Sequence, residues 1–173
     1  MRLRNAILAL GVVALALGAT AASAVVTGTT LHTGQAQIGI QAATQTNPTT
    51  SSATAFVHLP GATTKFTVTG SVPVLVVATF SAESECSSPN VGDWCSVRIR
   101  VDGTEMNPQS GSDFAFDTVT TSSGPYVGAS MQRSLVVGPG THFVNVDERI
   151  VGSGVTFRLD DWQLTTTESK NGA

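Results

Sequence analysis

The chain has 173 residues, with nine Lys and Arg against twelve Asp and Glu, a formal charge of −3 and only 12% charged side chains. That length fits one domain with a workable core, and the charge balance leaves no electrostatic footprint for a nucleic acid or an anionic membrane surface. Thr, Ser, Gly, Val and Ala dominate, a composition that suits strands with hydroxyls on the wet face better than it suits helices.

Residues 1–24 read as a secretory signal. Arg2 and Arg4 precede an uncharged stretch from Ala6 to Ala22, which closes on the small-x-small pattern Ala22-Ser23-Ala24. The competing reading is a membrane anchor, since the stretch approaches the roughly 20 residues of a spanning helix. Its many Ala and Gly residues and the cleavage pattern favour processing. The expectation is a secreted, extracellular protein of about 149 residues, free of the membrane once the signal is removed, with seven cations against twelve acids.

From residue 25 to 52 the sequence is rich in Thr, Gln, Ala and Gly, without one Asp, Glu, Lys or Arg, which predicts a low-complexity linker or a poorly ordered N-terminus. Within it, Gln37 to Gln41 can form one short strand. Residues 53–168 then carry short extended runs separated by turn signals, with 169–173 as a C-terminal tail. The runs are Ala53 to His58 before Pro60-Gly61, Lys65 to Thr69 before Gly70, and the apolar Pro73 to Ser81. Next come Cys95 to Asp102, closed by the hairpin dipeptide Asp102-Gly103, and Asp113 to Val119, then Ser130 to Val137 before Gly138-Pro-Gly140, and Thr141 to Asp147. In Cys95 to Asp102 the apolar Val97, Ile99 and Val101 alternate with Ser96, Arg98 and Arg100, which predicts a half-exposed strand beside a central Pro73–Phe80. The last run, Val155 to Thr166, starts with apolar residues at odd positions and resumes at Trp162 and Leu164, a phase shift that predicts a β-bulge at Asp160-Asp161. About eight strands without an amphipathic helix predict an all-β antiparallel sandwich, with a jelly roll as its topology.

Cys86 and Cys95 are the only cysteines, and in an exported chain they read as one disulfide. It staples the loop Cys86-Ser-Ser-Pro-Asn-Val-Gly-Asp-Trp-Cys95, which has little apolar content of its own. A redox pair is disfavoured, because the spacing is not Cys-x-x-Cys and no basic residue lies near to lower a thiol pKa. His32, His58 and His142 stand too far apart to show metal-ligand spacing.

The strings Phe80-Ser-Ala-Glu-Ser-Glu-Cys86, Cys95-Ser-Val-Arg-Ile-Arg-Val-Asp-Gly103, Gly138-Pro-Gly-Thr-His142 and Phe157-Arg-Leu-Asp-Asp-Trp-Gln-Leu164 resemble a group of small, exported, uncharacterised bacterial β-sandwich proteins. More distantly the pattern is similar to jelly rolls of the tumour-necrosis-factor and complement-globular-head type. The resemblance spans residues 53 to 168 and implies a sandwich architecture, an extracellular setting and a homotrimer. It brings no catalytic residues to carry over.

Catalytic signatures are missing from the residues themselves. Gly128-Ala-Ser-Met-Gln132 lacks the last glycine and the helix of a nucleophile elbow, and no His has a Glu within four positions for zinc protease chemistry. The carboxylate pairs Asp147-Glu148 and Asp160-Asp161 are the remaining option. Adjacent strand residues point to opposite faces, so neither pair is a ready acid/base couple, and a calcium site would need all four to converge. No catalytic residue, metal or cofactor is therefore expected. Aromatic side chains in loops suit sugar stacking, which makes Trp94, in the stapled loop, and Tyr126 the candidate ligand contacts. Trp162 reads as core, and Arg98 and Arg100, with Arg133 and Arg158 as further members, read as a solvated face. The leading expectation is a secreted, non-catalytic recognition module for an extracellular carbohydrate or protein ligand. A self-assembling structural protein is the alternative, and a small secreted hydrolase the third class.

Overall fold

The computed structural model describes residues 34–120, 122 and 124–171. The expected signal, 1–24, and the first part of the expected linker, 25–33, lie outside the described residues. The elements are β1 (Gly34–Gln45), β2 (Thr49–Ser51), β3 (Val57–Val68), β4 (Val74–Ser87), β5 (Trp94–Val101), β6 (Thr104–Glu105), β7 (Asp117–Thr118), β8 (Val127–Val137), β9 (Gly140–Val151) and β10 (Thr156–Asn171). They form two antiparallel sheets. The first has the order β1-β10-β4-β8, with β2 also on β10, and the second has β3-β9-β5-β6, with β7 also on β5. The pairs β1 with β10, β3 with β9, β4 with β8, and β5 with β6 and β7 are the rungs of one long antiparallel ribbon rolled onto itself. This is the jelly roll expected from the sequence.

Alternation along each strand builds the core. Phe80 on β4, Val97 and Ile99 on β5, Val144 and Val146 on β9, and Phe157, Leu159, Trp162 and Leu164 on β10 all bury between the sheets. Trp162 is core, as its place in the alternation predicts. The bulge in β10 is present: the register with β4 slips between Asp160 and Gln163, and Asp161 takes a positive φ of 45°. One extra residue there moves the inward set from odd to even positions. The turn at Asp102-Gly103 is also present, with φ of 49° and 87°, as a two-residue hairpin of the primed kind demands.

Several boundaries differ from the expectation. Gly34–Gln45 and Thr49–Ser51 are strands paired with β10 and not linker, because the exposed sides of β10 supply the hydrogen-bond partners that a polar, charge-free segment needs. Likewise β10 continues to Asn171, through most of the expected tail. Pro60-Gly61 is no chain reversal but a register slip inside β3, with Leu59 and Ala62 both buried. The proline is tolerated because β3 is an edge strand. Only Asp117–Thr118 of the run Asp113 to Val119 is extended, since Phe114 and Phe116 pack against the core from an irregular segment.

The stapled block does not pair as its two halves predict. β4 lies in the first sheet and β5 in the second, so the two are not neighbours in one sheet, and the loop between them crosses the sandwich. The Cys86–Cys95 disulfide therefore ties sheet to sheet, fully buried at 1% and 0% exposure. Closing a loop of this length removes denatured-state freedom equivalent to about 2.5–3 kcal/mol. β5 is also less exposed than its alternation suggests, because the outward arginines cover one another and a buried carboxylate.

Candidate functional site

Tyr126 stands just before β8, at one end of the outward face of the first sheet. Its loop is held close to the disulfide, since a side chain at Gly124 would collide with the backbone of Cys86. Register places Arg158 of β10 opposite Glu85 of β4, and Asp160 opposite Glu83, while Glu83 faces Gly128 of β8. The Arg158 guanidinium lies 4.9 Å from the centre of the Tyr126 ring, and its Nη2 donates to Asp160 Oδ2 at 2.7 Å. The Tyr126 hydroxyl hydrogen-bonds with Glu85, which holds its pKa above the ordinary phenol value. The ring is thus fixed in orientation while 52% of the residue remains in solvent.

Next to it is a shallow depression lined by Ser81, Ala82, Glu83, Gly128, Ala129, Ser130 and Asp161. Its shape has two sequence causes. Gly128 brings no side chain, and a Cβ there would meet nothing within 4 Å. The bulge turns Asp161 outward into solvent on the rim. An oriented aromatic face, carboxylate acceptors and hydroxyls around a hollow can bury an apolar surface and accept hydrogen bonds from a hydroxyl-rich or amide-rich ligand.

Trp94 is elsewhere. Cys95 points into the core, so Trp94 points outward from the second sheet, opposite Val151 of β9 and Thr118 of β7. It is half-buried, and its indole nitrogen is buried. The structure does not bring Trp94 and Tyr126 together, and Trp94 is not an exposed platform.

The outward face of the second sheet holds a dense cluster instead. Asp147, 1% exposed, receives Arg98 Nε at 2.8 Å and Arg100 Nη2 at 2.7 Å, with Arg100 Nε also within 2.6 Å. The bond to Asp147 raises the Arg100 pKa further. The Phe56 ring has the Arg98 guanidinium 4.3 Å and the Arg149 guanidinium 4.5 Å from its centre. Arg149, not Arg133 or Arg158, is therefore the third arginine of this face. Arg133 is buried over Phe114, and Arg158 belongs to the other sheet. Phe56 and Arg149 went unnoticed in the sequence because only the β5–β9 register, Ser96 opposite Arg149 and Arg98 opposite Asp147, reveals the cluster.

The carboxylate pairs separate as strand geometry requires. Asp147 faces outward to its arginines, while Glu148 turns between the sheets, 2% exposed. Burial pushes the Glu148 carboxyl up to about 7, and its Oε2 has no hydrogen-bond partner. Asp160 is engaged by Arg158 in the first sheet, so Asp147 and Glu148 do not converge with Asp160 and Asp161. Among the described residues no group of three or more His, Cys, Asp or Glu could hold a metal ion.

No protein-family model matches the sequence, and no curated protein matches it. Among solved structures the chain is similar to dimeric latent PorU from Porphyromonas gingivalis, with 14% identity and a TM-score of 0.38. That likeness takes in 80% of this chain and 14% of PorU, and at such a score it bears on neither fold nor activity.

Proposed function

We propose that the protein is an exported, non-catalytic recognition module that holds an extracellular or cell-surface ligand at the Tyr126 corner of the first sheet. The observation that carries this reading is a half-exposed aromatic ring oriented by Arg158 and Glu85 beside a polar hollow. Carbohydrate suits the site best, because the ring offers an apolar face for a sugar while Glu83 and Asp161 accept hydrogen bonds from hydroxyls. A protein ligand presenting amides and basic groups is the other class. The disulfide supports an oxidising destination.

The reading is tested by retention on immobilised envelope polysaccharide. Tyr126→Ala is expected to weaken retention about tenfold, the equivalent of roughly 1.4 kcal/mol, without a change in unfolding temperature. Gly128→Leu is expected to do the same by filling the hollow, since a Cβ at that position meets nothing within 4 Å. Retention unchanged in both variants, in a protein that does bind, would remove this corner from the account.

A second reading, self-assembly as a homotrimer, is favoured by the rest of the same face. Beyond the acidic end it presents Val77 and Thr79 on β4, Gln163, Thr165 and Thr167 on β10, Gln132 on β8, and the exposed Ile40 on β1, with no charge among them. A flat uncharged face lets copies pack without stranding ions. Light scattering across a concentration series decides it, and a strict monomer eliminates the trimer.

A further inference from the structure

Trp94, Ser96 and Arg149 occupy adjacent outward positions of the second sheet: Trp94 and Ser96 are two apart on β5, and Ser96 lies directly opposite Arg149 on β9. Ser96 is fully buried, and its Oγ has no hydrogen-bond partner. The Trp94 Nε1 and Arg149 Nε atoms are likewise buried without partners. An indole N–H and a guanidinium N–H can only donate, and a serine hydroxyl can donate, so three buried donor atoms on residues at neighbouring register positions have no hydrogen-bonded acceptor from the chain. Buried donors in that condition carry their full desolvation cost with no bond to offset it.

The charge has the same sign. Arg98 and Arg100 share Asp147, and Arg98 also approaches Glu105 at 4.0 Å. Arg149 pairs with no carboxylate among the described residues. Its Nη2 donates only to the carbonyl oxygens of Gly111 and Ser112, at 3.3 and 3.0 Å, and the Phe56 ring stacks on the guanidinium. We propose that Trp94, Ser96 and Arg149 form a binding site for a small monovalent anion of the halide class. Donors without acceptors favour an anion over a cation, and the full burial of Ser96 favours an ion of chloride size over a bulky one. The site lies on the sheet opposite the Tyr126 corner and does not depend on it.

Two measurements test the proposal. Thermal unfolding of the full chain in sodium chloride and in sodium gluconate at equal ionic strength is expected to give a saturable, chloride-specific rise of about 3 °C. That rise should vanish in Ser96→Ala, which removes one donor with little change in volume, and in Arg149→Gln, which removes the charge. In crystals soaked in sodium bromide, an anomalous peak is expected among the Trp94, Ser96 and Arg149 side chains. Equal unfolding temperatures in the two salts, a chloride increment that survives in Ser96→Ala, or a water in place of bromide would each overturn the assignment.

Discussion

Replacing Asp147 by Ala is expected to lower stability by about 3 kcal/mol. Breaking a buried ion pair from one side costs more than the pair is worth, because the abandoned partner stays desolvated. Here two partners are abandoned at once, since Arg98 and Arg100 both close on the same carboxylate. Each arginine is about one-quarter exposed, at 26% and 25%, so water softens the loss and the figure belongs at the lower end of that range. The unfolding temperature should fall by about 10 °C for a domain of this size. Added salt should restore part of it by screening the two guanidiniums from each other. A fall of less than about 2 °C would mean that the arginines find solvent without the carboxylate, and that the cluster contributes little to folding.

Glu148→Gln is expected to act in the opposite direction, with a gain that grows from about pH 4.5 and is complete above about pH 7. The folded protein keeps a proton on Glu148 up to about pH 7, while the unfolded chain releases it near 4.5. Between those values the folded state binds more protons than the unfolded one, so this residue makes stability fall as pH rises from about 4.5 to about 7, after which the loss is complete. Its neighbours across the sheet, Val57 on β3 and Val97 on β5, offer no countercharge. The amide removes the ionisation without changing the shape. The variant should therefore nearly match the native protein at pH 4.5 and exceed it by about 3 kcal/mol at pH 8. Urea unfolding at the two pH values measures this. An equal difference between variant and native protein at both would show that ionisation of Glu148 is not what limits stability.

Much of the fold is legible in the residues. The alternation of Val97, Ile99 and Val101, the phase shift across Asp160-Asp161 and the dipeptide Asp102-Gly103 each specify one backbone event, and each is there. β1 was legible only in part, at Gln37 to Gln41, because a strand without apolar periodicity is recognised by its partner β10 and not by its own side chains. Of the candidate contacts, Tyr126 was placed correctly as an exposed loop aromatic. Trp94, the other candidate, lies half-buried on the second sheet, because sequence proximity to the disulfide says nothing about which sheet receives the next strand.

The sequence by itself determined the alternation of β5, the turn at Asp102-Gly103, the bulge in β10 and the pairing of the two cysteines, all consequences of local sterics and of which faces are apolar. Only the tertiary structure decided that the staple joins two sheets, that Asp147 and Glu148 part to opposite environments, and that Arg149, Ser96 and Trp94 become neighbours. These depend on strand order and on register between segments some 50 residues apart in the chain. A shift of one residue there would exchange the two faces of a strand and leave its sequence pattern unchanged.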